Sequence, residues 1–136
     1  MPLLVTMRVP ATTGAIECAV EGLTALNYRA MHTASVGGGG FPALYSSGIV
    51  YRKEPHGVEN WQNAIDLLRT MQGDCEDLSA YRAGELRMLG EPAAVAIIRN
   101  PSGSYHAVVR RADGAIEDPS RILLALEARE RRRVYG

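Results

Sequence analysis

Three residues of this chain have the types and the order that thiol-based acyl chemistry needs: Cys75, His106 and Asp118. Cys75 lies in GDCED, where a glycine-bearing turn runs into a helical pattern. Backbone N–H groups and the macrodipole at a helix start favour an anion, so a thiol there is expected below its free value of ~8.5. Glu76 and Asp77 oppose this, so a thiolate at Cys75 needs a cationic partner. Without one, the residue reads as a small buried hydrophobe. His106 stands 31 residues later, in the strand-like SYHAVVRR. Alternation sets His106, Val108 and Arg110 on one face and Tyr105, Ala107 and Val109 on the other. Asp118 follows 12 residues further on, in AIEDPS, a spacing that suits the next antiparallel strand. A carboxylate there would hold the imidazole in one tautomer and steady its cation. Glu117 is the alternative orienter, but the same alternation turns it to the opposite face.

The elements that must position these residues are legible in outline. Residues 3–9 could form a short edge strand ended by Pro10. A helix is expected from Thr13, capped by Thr12 or Thr13, with Ile16, Ala19, Val20, Leu23, Ala30 and Met31 at helical spacing. Residues 35–40 (SVGGGG) read as a loop, and residues 41–55 as a loop entering a strand near 49–52. Pro55 and Gly57 force a turn. The second helix is expected over 59–71, with Trp61, Ala64, Ile65 and Leu68 on one face and Gly73 ending it. The third begins at Asp74 or Cys75 and reaches Leu89, with Asp74 as cap and Gly90 as stop. Beyond Pro92, AAVAIIRN and SYHAVVRR flank the turn PSGS, and ADGA leads to a third strand at 116–118. The tail ILLALEARERRRV reads as an amphipathic helix supported by a Glu127–Arg131 pair. Helices followed by an antiparallel meander define the α+β class.

Composition bounds the function. A chain of 136 residues with 46% hydrophobic and 22% charged residues suits one soluble globular domain. Fifteen basic residues balance fifteen acidic ones, against a protein whose main work is binding nucleic acid or an anionic membrane. The run ARERRR is interrupted by Glu130, preceded by Glu127 and lacks interleaved aromatics, so it reads as a solvated helix face. With only Cys18 and Cys75 there is no disulfide framework, and Cys18 falls in the apolar pattern of the first helix as a core residue. His32, His56, Cys75 and His106 are too scattered for a metal site, and no cofactor is implied. No signal peptide is read at the start, and no apolar run approaches the ~18 residues of a membrane helix. The expected location is cytoplasmic, or in a virion assembled there.

The stretches that carry the candidate residues also resemble a known family. GDCEDLSAYRAGELRMLGE, residues 73–91, is similar to the nucleophile helix of the transglutaminase-like cysteine peptidase superfamily. SYHAVVRRADGAIEDPS, residues 104–120, resembles its His and Asp strands, and ENWQNAIDLLRTMQ the helix before the nucleophile in bacterial members. The resemblance spans about residues 48–124 of a single domain, 1–136, and is nearest to small proteins of bacteriophages and prophages. It implies a papain/transglutaminase-like fold, with Cys75 as nucleophile, His106 as base and acid, and Asp118 as orienter. An oxyanion hole would use the Cys75 N–H plus an upstream side chain, for which Trp61 and Gln62 are the candidates. The implied activity is cleavage or transfer at a peptide or isopeptide bond of a peptide or protein substrate, as a cysteine peptidase or a transglutaminase. This chain is shorter than most members and shows no second substrate-binding domain. The rival expectation is therefore a non-catalytic phage structural or interaction module, partnered by virion proteins.

Overall fold

A computed structural model describes residues 12–54 and 60–135. The strand expected at 3–9, the turn at Pro55 and Gly57, and His56 lie outside them. The chain runs α1 (Thr13–Val36), a 3-10 turn (Leu44–Ser46), β1 (Val50–Tyr51), α2 (Ala64–Thr70), β2 (Gln72–Gly73), α3 (Cys75–Met88), β3 (Ala94–Arg99), β4 (Tyr105–Arg110), β5 (Ile116–Glu117) and α4 (Pro119–Tyr135). The mixed α+β class is as expected. No helix among the described residues is long and apolar enough to cross a membrane.

β3, β4 and β5 form an antiparallel meander in which Ile97 faces Ala107 and Val109 faces Glu117. α1 and α3 cover the face of this sheet that carries Ala107 and Val109. Ile16 and Val20 of α1 meet Ala80, Ala83 and Leu86 of α3 and Val95 and Ile97 of β3 there. A second cluster lies on the other flank of α3, where Leu78 and Tyr81 join Met31, Leu44, Ile49, Leu67 and Leu123. Burying a side chain such as Leu78 fully contributes about 1.5–3 kcal/mol, so two such clusters hold α3 as the axis of the fold. Nine of its fourteen residues are buried, which leaves it no broad polar face. It approaches α1 closely because Gly84 has no side chain; a Cβ there would stand 3.1 Å from Asn27 Cβ.

α1 begins where expected, with Thr12 Oγ1 accepting from the Ala15 N–H, and it runs on through Ser35 and Val36. Cys18 is exposed rather than in the core. At ~100° per residue it lies on the far side of the helix from Ile16 and Val20. The buried stripe continues instead through the polar Thr24 and Asn27.

The second helix departs most from expectation. It starts at Ala64, five residues after the expected 59, because Asn63 caps it by accepting from the Asp66 N–H. Asn27 Oδ1 takes the Ala64 N–H at 2.8 Å, pinning this start to α1. Trp61 and Gln62 therefore precede the helix, Ala64 and Leu67 are its buried residues, and Ile65 faces solvent. Gly73 is not the helix stop. That role falls to Met71, in the left-handed region at φ 62°. Gly73 instead lies in β2, a parallel partner of β1 with Tyr51 opposite Gly73. α4 also begins earlier than expected, at Pro119, with Asp118 closing its first turn: the Arg121 N–H donates to Asp118 Oδ1. Proline suits a first helical position because its missing N–H would have no helical partner.

A Cβ on Gly73 would come within 2.5 Å of Leu67 Cδ2 and 3.1 Å of Asp77 Cβ, both on buried residues that cannot swing into solvent. Gly73→Ala is therefore expected to destabilise the fold by about 1–3 kcal/mol. Urea unfolding would check it, and an unchanged midpoint would contradict the packing described.

Candidate active site

α3 opens on a capping box. Asp74 Oδ1 accepts the Asp77 N–H at 3.3 Å, and Asp77 Oδ2 accepts the Asp74 N–H at 3.1 Å. Asp77 is fully buried and also takes the Gln62 N–H at 2.7 Å, so one carboxylate ties the start of α3 to the segment before α2. These bonds place Cys75 at the first helical residue, as expected.

β5 pairs with β4 only alongside Val109 and Arg110, so Ala107 has no β5 partner. α3 supplies the missing partners. Ser79 Oγ donates to the Ala107 carbonyl at 3.1 Å, and the Ala107 N–H bonds to the Cys75 sulfur. Cys75 and Ser79 stand four apart on one helix face, so both reach the same residue of β4. The thiol is thereby set against the strand one residue beyond His106.

His106 Nε2 lies 2.9 Å from Asp118 Oδ2. Carrying the β4–β5 register one residue further puts Asp118 across from Val108, which shares a strand face with His106; the contact is a diagonal one. The same register places Glu117 with Val109 on the other face. There it bonds Arg82, Arg111 and the Tyr45 hydroxyl. Burial tends to raise the Glu117 carboxyl, but these donors, Arg82 foremost, hold it below the ordinary value. Glu117 is thus committed to a charge network that joins β5 to α3 and the 41–47 segment. The His106 and Asp118 side chains keep about 30% and 29% of their surface in contact with solvent, so the pair is reachable.

The thiol itself departs from expectation. Its value is raised, not lowered: burial comes first and the Glu76 carboxylate second, with the Ala107 N–H opposing them. Its hydrogen goes to Glu76 Oε2 at 3.3 Å. Glu76, only 3% exposed, accepts at Oε1 from the Tyr105 hydroxyl at 2.5 Å. Tyr51, opposite Gly73 across β1–β2, completes the surroundings. Its phenol is raised by burial and then by the nearby charges of Cys75, Asp74, Glu76 and Asp118. Glu76 opposes the thiolate, as the sequence implies, but its burial and its bond to the thiol were not legible there, and Tyr51 was not singled out. The signal available for Tyr51 was its strand position, but only the non-local pairing with β2 reveals what it faces.

Of the two oxyanion candidates, Trp61 packs against the first core cluster, as Cys75 also does. The Gln62 amide is engaged elsewhere, donating to the Gln72 carbonyl at 2.9 Å while its oxygen accepts from Thr70. A cavity of about 250 Å³ beside the start of α3 is lined by Arg52, Glu54, Gln62, Asp74 and Asp77 among others. Neither Cys75 nor His106 reaches it, so it is not where the thiol would meet a substrate. Glu54, Asp74 and Asp77 bring one oxygen each within 4.8 Å of one another. The capping box explains the aspartates, and the Asn60 N–H engages Glu54.

Comparison with known proteins finds no match to this chain among family models, curated proteins or solved structures.

Burial, then the neighbouring Asp77, raises the Asp74 carboxyl to about 10. A carboxyl raised on folding contributes stability at low pH that is lost as pH climbs from its unfolded value of ~4 toward the folded one. Asparagine keeps the capping oxygen without the charge. Asp74→Asn should therefore flatten the fall in stability between about pH 6 and about pH 9. Urea midpoints of both proteins at those two pH values test this; parallel slopes would refute it.

Proposed function

We propose that this protein is a thiol-dependent acyl-transfer enzyme of the papain/transglutaminase-like fold, acting on amide or isopeptide bonds of a peptide or protein substrate. The observation that carries the reading is the His106–Asp118 pair, held at 2.9 Å on the strand whose next residue bonds the Cys75 sulfur. A cysteine opening a helix, a histidine on the adjoining strand and an acid closing the next strand are what such a fold requires.

A carboxylate can only accept, so Asp118 leaves the hydrogen on His106 Nε2 and the lone pair on Nδ1. Because the resting thiol keeps its proton, the reaction starts by general-base catalysis and not from a standing thiolate–imidazolium pair. The sulfur attacks the amide carbonyl carbon while its proton passes to Nδ1. As the C–N bond breaks, that proton goes to the leaving amine, and a thioester remains on Cys75. Water or a second amine then attacks the thioester, giving its proton to His106, which returns it to the departing sulfur. In this scheme the Cys75 N–H at the helix start and Trp61 are the oxyanion donors, and Gln62 is held back by its own bonds.

A second reading has an observation in its favour. A buried thiol bonded to a carboxylate is a poor nucleophile, which suits a phage structural or interaction module that retains the fold without the chemistry.

One experiment separates the two. In a Cys18→Ala background, p-nitrophenyl acetate should acylate Cys75, seen as p-nitrophenol release and a thioester by intact mass. His106→Ala should slow acylation by about 10²-fold or more, and Cys75→Ala should abolish it. Acylation at the same rate without His106 would sink the enzymatic reading and leave the module.

A further inference from the structure

We propose that Glu76, held by the Tyr105 hydroxyl, is a latch on the candidate nucleophile. It accepts the Cys75 S–H and keeps the sulfur in its protonated form until the thiol is released toward His106. This rests on the acyl-transfer reading only for the identity of the sulfur. The positional argument concerns Glu76, which acts through Cys75 and not on a substrate.

Three features of the geometry converge on this role. Glu76 is 3% exposed, yet no cation is among the hydrogen-bond partners found for it. A buried carboxylate without a cation is costly unless its lone pairs are occupied. The occupants are the thiol, 3.3 Å from Oε2, and the Tyr105 hydroxyl, 2.5 Å from Oε1, with the Asp74 carboxyl as a third hydrogen-bonding neighbour. Tyr105 precedes His106 on β4 and lies on the opposite strand face. The strand that delivers the imidazole therefore also delivers the donor that fixes the carboxylate. A carboxylate serving only the helix dipole could stand in solvent at this first turn. Glu76 is instead turned inward, against the sulfur.

The acidic groups around the pair act in the same sense wherever they ionise. On α3 itself, Asp74 faces both Glu76 and Cys75, and Asp77 faces Asp74. From β1, the Tyr51 phenol lies within electrostatic reach of Cys75, Asp74 and Glu76. From the end of β5, Asp118 is within electrostatic reach of Tyr51 and bonds His106 on β4. The one opposing contact is the Ala107 N–H on the sulfur. His106 is the sole cation-forming group in this set, and Asp118 occupies one of its nitrogens. Release of the thiol thus requires exchange of a Glu76 contact for one with the imidazole.

The test is the pH profile of iodoacetamide alkylation at Cys75 in the Cys18→Ala protein. Glu76→Gln keeps size and an acceptor oxygen but removes the charge. It should raise the alkylation rate near neutral pH about tenfold and move the profile about one unit lower. Tyr105→Phe removes a donor to Glu76, leaving the carboxylate to bind the thiol hydrogen more strongly, and should move the profile upward. Opposite shifts support the latch. If the Gln variant does not fold, the upward shift in Tyr105→Phe decides alone. Shifts in the same direction, or none, overturn it. The acylation assay with His106→Ala remains independent. A latch can stand where acyl transfer fails, and acyl transfer where the latch fails.

Discussion

The rest of the site depends on how one helix meets the unpaired edge of one strand. β5 is too short to accompany the whole of β4, so the N–H and C=O of Ala107 would be left without partners in a buried setting, at a cost of about 1–3 kcal/mol each. Ser79 and the Cys75 sulfur fill both positions. This requirement fixes the rotation and depth of α3 against the sheet, and with them the distance of Cys75 from the strand that bears His106. The sulfur is therefore part of the scaffold as well as a candidate reagent. A residue without an acceptor at position 75 would disturb the helix–sheet contact irrespective of any chemistry.

The start of α3 is fixed from its other side by carboxylates. Asp77 is enclosed by the N–H groups of Asp74 and Gln62, and the glycine before them allows the chain to pass against Leu67. Acidic side chains at a helix start are ordinarily solvated and complement the macrodipole. Here the fold has drawn them inward, and Glu76 stands 3.3 Å from the thiol. Burial, and then the Glu76 carboxylate, outweigh the Ala107 N–H and raise the Cys75 thiol.

Much of this could be read from the chain alone, where the signals were local. Asp74 as cap, the turns PSGS and ADGA, and the alternation in SYHAVVRR led directly to the helix start, the meander and the shared face of His106 and Asp118. Glu117 was assigned to the other face by the same alternation, and the Arg82–Tyr45–Arg111 network shows what holds it there. What could not be read depended on contacts between distant segments. The parallel β1–β2 pair involves two residues on each side, too few to leave a periodic trace. The late start of α2 follows from Asn63 and from Asn27 on another helix. Whether Glu76 would be solvated or buried depended on Tyr105, 29 residues away. The Asp118-Pro119 pair at the head of α4 is the exception. It is a local start signal, unused in the assignment of 116–118 to the third strand.

Asp118 divides its two oxygens between the first turn of α4 and the His106 ring. An imidazole oriented in this way is held only as long as the C-terminal helix is docked. Undocking the start of α4 would withdraw Leu123 from the second core cluster and release Asp118 together. Orientation of the ring and integrity of that cluster are thus coupled through a single carboxylate.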